Sequence, residues 1–243
     1  MDYRGMSGKE WEDVVESLED IGPQYYEKAN MLMTLGMVDR WRKRVASAAG
    51  PDDVVLEIGP GPGLFTRHIS SKAVYCVDPS SEFSKPLREN VDSSRVSLVR
   101  GVGEKIPLAG GSVDKAFCVF SFRDLFDKEA GIGEIHRVLR EGGEVFIAEV
   151  AKPPPGPLAK MIELHFRHVV PVMARVAVDI ANKDLWRRNP YAKLVQTYEA
   201  YGTTENYEAL LRSAGFARVT TEYLELKGAT ITRGKKPWKS TSS

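Results

Sequence analysis

Residues 54–63 read Val-Val-Leu-Glu-Ile-Gly-Pro-Gly-Pro-Gly, and the next apolar run, Ala73-Val-Tyr-Cys-Val77, ends on Asp78. A short β-branched strand opens into a glycine loop, and a second strand carries an acid at its tip. Few folds accommodate that order. In a doubly wound sheet the loop lets a ligand approach the backbone, and the acid accepts hydrogen bonds from ribose hydroxyls. A dinucleotide fingerprint needs Gly or Ala three residues after Gly61, and that position is Leu64. The glycines fall instead at 59, 61 and 63, behind the acidic Glu57. Alone, such a loop is only a tight strand-to-helix turn. The strand before it and Asp78 after it make it a ligand cradle.

The pattern around the cradle alternates. Apolar, β-branched runs predict strands at 53–58, 73–77, 95–100, 113–119 and 143–149. Helical spacing predicts helices at 63–70, 80–90 and 127–140, the last stopped by Gly142-Gly143. Strands alternating with helices specify a mostly parallel sheet covered on both faces. Before it, helices are expected at 11–21 and at 25–49, the second interrupted at Gly36. After it, Lys152-Pro-Pro-Pro-Gly-Pro157 reads as a stiff connector. An amphipathic helix over 158–181, kinked at Pro171, is either a plain core helix or a lid over an apolar substrate. A helix at 204–214 precedes strands at 217–226 and 228–233, an antiparallel edge hairpin turning at Lys227-Gly228. The expected division is a helical segment 1–50, an α/β core 51–152, a helical lid 153–215, an edge hairpin 216–234 and a solvated basic tail 235–243.

Composition narrows the function classes. A net charge of +1 leaves no general field to recruit nucleic acid. Cys76 and Cys118 sit inside apolar runs and read as buried hydrophobes suited to a reducing cytoplasm. No Cys/His cluster has metal-ligand spacing, so no metal is expected. The first residues lack the apolar core of a signal peptide, and no uncharged stretch reaches the length of a membrane span. A cytoplasmic protein is therefore expected.

Ligands of open α/β sheets bind beyond the carboxyl ends of the strands. Loops 59–63, 78–81, 101–105 and 119–124 all leave predicted strands at that edge. Backbone groups around Val102, Gly103 and Glu104 are placed to read a base edge. Val119 and Phe120 offer apolar packing.

The GxGxG loop behind Glu57 resembles motif I of the class I S-adenosylmethionine methyltransferases. Further segments fall in order: Gly101-Val-Gly-Glu-Lys-Ile-Pro107, Asp114, Phe120-Ser-Phe-Arg-Asp124, His136-Arg-Val-Leu-Arg-Glu-Gly-Gly143 and Glu149-Val-Ala-Lys-Pro153. Together they resemble the ubiquinone/menaquinone-biosynthesis C-methyltransferases. Tyr26-Glu-Lys-Ala-Asn30, Trp41-Arg42, His168-Val-Val-Pro171, Ala214-Gly-Phe216 and Arg233-Gly234 also look like segments of that family. The chain departs from it at Val102, where the family carries an acid or amide, and at Asp124, where it carries Asn. Glu57 replaces the more usual Asp.

The resemblance implies a Rossmann-like fold and S-adenosylmethionine, released as S-adenosylhomocysteine. It implies cofactor contacts from Glu57, Gly59, Pro60, Gly61, Gly63, Asp78, Pro79, Val102, Gly103, Glu104, Val119 and Phe120. It implies a prenylated benzoquinol or naphthoquinol acceptor, demethylmenaquinol-like, with Tyr26, Arg123 and His168 around the ring. The structural alternatives are a core tyrosine, a salt bridge from Arg123 to Asp124 or Glu149, and a helix histidine. An acceptor that lives in a bilayer implies transient contact with a membrane surface, and a homodimer stays open. Two other functions remain at this point: methylation of another lipid or small molecule, and non-catalytic binding of S-adenosylmethionine within a biosynthetic complex.

Overall fold

Near-continuous buried runs, expected of parallel strands covered on both faces, build the centre of the sheet. The computed structural model describes residues 23–80, 84–150, 155–170, 172–173 and 204–238. Strand β1 (Val54–Ile58) lies between β2 (Ala73–Asp78) and β4 (Val113–Val119), with β3 (Val96–Arg100) outside β2. These pairings are all parallel. Strand β5 (Leu139–Val150) adds parallel to β4, β7 (Ala229–Lys235) adds antiparallel to β5, and β6 (Ala217–Tyr223) closes the edge antiparallel to β7. The order β3-β2-β1-β4-β5-β7-β6 reverses direction between β1 and β4, which places a crevice outside their carboxyl ends.

The two faces carry separate cores. Leu56, Ile58 and Val77 pack with α4 (Lys128–Val138) and α6 (Thr204–Ser213) on one side. Val55, Val74, Cys76 and Phe117 pack on the other with α2 (Met37–Ala46). Helix α2 buries Val38, Trp41, Arg42 and Val45, the stripe expected of an amphipathic helix. It is separated from α1 (Pro23–Met33) at Gly36, whose φ of 78° requires the left-handed region. Helix α3 is Ser84–Asn90, and α5 is Pro157–Leu164, continued by a π-helical turn over His165–Val169.

Strands β1 to β4 fall within a residue of their sequence-based bounds. Four expectations need correction. Residues 63–70 are not a helix but a series of turns with one 3-10 turn at Thr66–His68. Positive φ at Gly63 and a 2.7 Å bond from the Thr66 hydroxyl to Glu57 draw this segment onto the sheet instead. Helix α4 ends before the glycine pair, because buried Leu139 already pairs with Val113 as β5 begins. Residues 140–143 then bulge before Glu144 rejoins opposite Lys115.

The edge hairpin turns earlier than expected, through a 3-10 turn at Glu225–Lys227. The start of the tail is not solvated chain. Lys236 exchanges backbone bonds with Gly142 and Gly143, and its Nζ donates to the carbonyls of His136 and Leu139. The expected helix at 11–21, the kink at Pro171 and the continuation through 174–181 lie outside the described residues. Among the described residues no helix is long and apolar enough to cross a membrane.

Candidate active site

A cavity opens at the carboxyl ends of β1, β2 and β4, where the strand order reverses. Its wall includes Glu57, Gly59, Pro60, Gly61, Asp78, Pro79, Val102, Gly103, Glu104, Val119 and Phe120. Of the expected cofactor residues only Gly63 is absent from it. A Cβ there would meet Val91 and Leu87, so Gly63 serves the contact with α3.

The other two glycines differ in what they need. Gly59 (φ 65°) packs so tightly that a Cβ would lie 2.7 Å from Cβ of Ser121. Gly61 (φ 52°) has nothing within 4 Å of the same point, so its missing side chain leaves open space beside the cavity. Its amide donates to Oδ2 of Asp78 at 3.2 Å, and the Ser80 amide donates to Oδ1 at 2.9 Å. Those bonds hold a nearly buried carboxylate at the tip of β2.

Beneath the cradle lies a polar floor. Glu57 is buried and accepts from Thr66, while Cys76 Sγ lies 3.9 Å from the same oxygen. Burial pushes the Glu57 carboxyl up to about 8, with the Asp78 charge adding to the rise. Arg42 reaches the cavity from α2, is itself buried, and its charge acts in the opposite sense on Glu57. The Trp41 ring beside it tilts against Phe120, with centroids 6.3 Å apart.

The loop after β4 forms the far wall. Ser121 Oγ donates to the Ile58 carbonyl at 2.6 Å, locking this loop to the end of β1. Phe120 adopts φ 60°, a conformation costly for an aromatic residue, and is held there buried in the wall. Phe122–Asp124 makes one 3-10 turn, and Lys128 Nζ donates to the carbonyls of Arg123 and Leu125. Glu104 also reaches the wall, but its Oε1 accepts from the Asp127 amide at the start of α4.

The three expected ring-side residues are placed differently from one another. The Arg123 guanidinium is bound to buried Glu149 on β5, at 3.1 Å. His168 is exposed in the π-helical turn. The Tyr26 side chain lies outside the described residues, although its backbone belongs to α1. Among the described residues the wall includes Asp124 but neither Arg123 nor His168. It also includes Arg42, Ser121 and Leu125, which motif reading did not single out as site residues. An arginine on the apolar stripe of α2 was the available signal for Arg42. Asp114 and Glu134, within or beside the shared segments, are structural. Asp114 receives the Val54 amide and Arg140, and Glu134 receives the Ile106 amide and Arg137.

The sequence profile described as the ubiE/COQ5 methyltransferase family matches residues 6–236. The chain belongs to the ubiE/COQ5 methyltransferase family. It is 26% identical over 207 residues to a demethylmenaquinone methyltransferase of Mycobacterium sp. (strain JLS), covering 84% of this chain and 86% of that one. It is 25% identical over 226 residues to the demethylmenaquinone methyltransferase of Thermus thermophilus, covering 90% and 99%. Among solved structures, a possible histamine N-methyltransferase from Thermotoga maritima superposes with a TM-score of 0.62 at 20% identity, covering 90% of this chain and 98% of that one. A putative methyltransferase from Haloferax volcanii, solved with its Trm112 activator, gives 0.59 at 17% identity, covering 88% and 98%. At such identities these two likenesses establish the fold alone.

As a member of the ubiE/COQ5 family the chain is an S-adenosylmethionine-dependent methyltransferase. Its cavity fits that cofactor. Asp78 would hold the ribose hydroxyls, the open space at Gly61 would admit the ligand against backbone, and Val102 and Leu125 would give the base apolar walls. Bound cofactor supplies an activated methyl group. The protein contributes alignment, exclusion of water and proton handling.

Proposed function

We propose that this enzyme methylates a ring carbon of a prenylated quinol, a demethylmenaquinol-like molecule, in quinone biosynthesis. One observation carries the reading. The loop after β4 delivers an apolar ring, Phe120, and a carboxylate, Asp124, to the wall of the same cavity as the cofactor cradle. A ring acceptor with an acidic hydroxyl matches that pair. The names of the demethylmenaquinone methyltransferases it resembles support the choice.

In this mechanism the enzyme seats the ring against Phe120 and withdraws a hydroxyl proton, which enriches the neighbouring carbon for attack on the methyl group. The buried Arg123–Glu149 pair fixes the loop that presents those groups. The prenyl tail requires a meeting at a bilayer. His165 Nε2 donates to the Met33 carbonyl at 2.8 Å, joining the π-helical turn to the end of α1. Exposed Leu35 (64%) and Leu164 (59%) flank that contact in sequence. This apolar surface docks on membrane, with exposed Lys160 on α5 for anionic headgroups, whereas Arg167 is paired with Glu163 at 3.0 Å.

Incubation with labelled S-adenosylmethionine and demethylmenaquinol in mixed micelles, followed by mass spectrometry, should find one added ring methyl. Label on a different lipid from total extracts, with none on the quinol, would move the assignment to another acceptor. No label on any acceptor, with S-adenosylhomocysteine bound normally, would favour a binding role without turnover. Sedimentation with anionic vesicles should be weak and salt-sensitive, and absence of binding with quinol present would remove the docking surface.

A further inference from the structure

We propose that Asp124 is the proton acceptor of this reaction, taking the hydroxyl proton of the ring directly. The inference rests on the acceptor class proposed above. Two adjacent residues divide the labour. The Arg123 guanidinium is held on Glu149, whereas Asp124 lines the cavity and keeps a quarter of its side chain exposed (25%). A carboxylate in that position can receive a proton. An amide in the same place could not, because it has no basic oxygen to protonate near neutral pH.

The loop is built to hold Asp124 still. Its backbone N–H donates to the Ser121 carbonyl at 3.0 Å, and Ser121 Oγ in turn binds the Ile58 carbonyl. Lys128 brackets the turn through the carbonyls on either side of Asp124. A base held on a rigid turn meets the positional demand of proton transfer.

The surrounding charges set its strength. Arg123 Nε lies 3.5 Å from Oδ1, Lys128 acts from α4, and Glu149 faces it from β5. Burial raises the Asp124 carboxyl above its ordinary range, and the two cations oppose that rise. Burial also lowers the Lys128 ammonium. A carboxyl raised in this way is a stronger base than a solvated aspartate.

The step balances. The acceptor O–H bond breaks and its proton moves to Asp124. The enriched ring carbon forms the new C–CH3 bond while the methyl–sulfur bond breaks, its electron pair staying on sulfur. The ring C–H proton leaves to solvent water, and Asp124 returns its proton to the oxygen. One proton is released to solvent per methyl transferred.

The test uses the full chain, with Asp124→Asn and Asp124→Ala. Both should keep the wild-type affinity for S-adenosylhomocysteine. Turnover of demethylmenaquinol should fall at least about a hundredfold, in the range of general-base loss. The acid limb of the kcat/KM profile should vanish in Asp124→Asn, and added formate should restore part of the Asp124→Ala rate. Near-normal turnover with an unchanged acid limb would overturn the inference. A second reading needs no turnover: the γ-carboxyl 13C signal of Asp124, assigned by its loss in Asp124→Asn. In the S-adenosylhomocysteine complex its titration should shift on adding 1-naphthol, and an unmoved signal would also overturn the inference. Inactive wild-type protein on demethylmenaquinol, with the carboxyl signal shifting, would remove the acceptor assignment and retain Asp124.

Discussion

Nη1 of Arg123 lies 3.1 Å from Oε2 of Glu149, and the backbone N–H of the same arginine donates to Oε1 at 3.2 Å. Glu149 is 1% exposed, so this fork is what compensates its burial. The pair ties the loop after β4 to the end of β5.

Arg123→Ala leaves that carboxylate buried without its cation. Urea unfolding should show a loss of about 3–5 kcal/mol, and Arg123→Ala with Glu149→Ala should recover part of it. Arg123→Lys keeps the charge and loses the planar fork. Its main loss should be in melting temperature. A hundredfold drop in kcat at unchanged melting temperature would return Arg123 to the groups that touch the ring.

The two cradle glycines should separate stability from binding. Gly59→Ala drives a Cβ to 2.7 Å from Ser121 and should lower the melting temperature strongly. Gly61→Ala meets no atom within 4 Å and should cost only about 1–2 kcal/mol from its positive φ. Calorimetry should show that Gly61→Ala loses cofactor affinity more than tenfold, because the methyl occupies space the ligand needs. Intact affinity in Gly61→Ala would move the cofactor away from this loop.

Asp78→Ala should weaken S-adenosylhomocysteine by about 1.5–3 kcal/mol per charge-assisted bond lost. The loop bonds from Gly61 and Ser80 also disappear, so a smaller fall in stability accompanies it. NAD should bind neither form measurably. Unfolding with unchanged affinity in the surviving protein would make Asp78 a structural residue.

The raised Glu57 carboxyl predicts a pH dependence of stability. An unfolded glutamate ionises near 4.5, whereas burial keeps the folded one protonated up to about 8. Between those values the folded state holds a proton that the unfolded state has lost. The Glu57 contribution therefore falls as pH rises, by about 1.4 kcal/mol per pH unit, and levels off above about 8. Glu57→Gln removes this slope. Urea titrations from about pH 5 to about pH 8 should show the wild type losing more stability than the variant across the window. Parallel slopes would mean that Glu57 is ionised when folded.

Contiguous residues alone determined the α/β class, the bounds of β1 to β4, the break at Gly36 and much of the cavity wall. Each depends on a short local signal: a continuous apolar, β-branched run, a glycine at positive φ, an acid closing an apolar strand. Those preferences act over a few residues and survive in any context that buries the strand. Pairing between distant segments decided the rest. The 63–70 segment gave up its helix because Glu57 captures Thr66 across a folded loop. Strand β5 begins at Leu139 because the Val113 register demands it. Motif order alone left Arg123 either a catalytic residue or a salt bridge. Only the packing of β5 beside β4 set Glu149 against it, 26 residues on, and left Asp124 on the wall. Which neighbour of a sequence pair faces the cavity depends on sheet register and loop conformation, and these exist only once the strands are assembled.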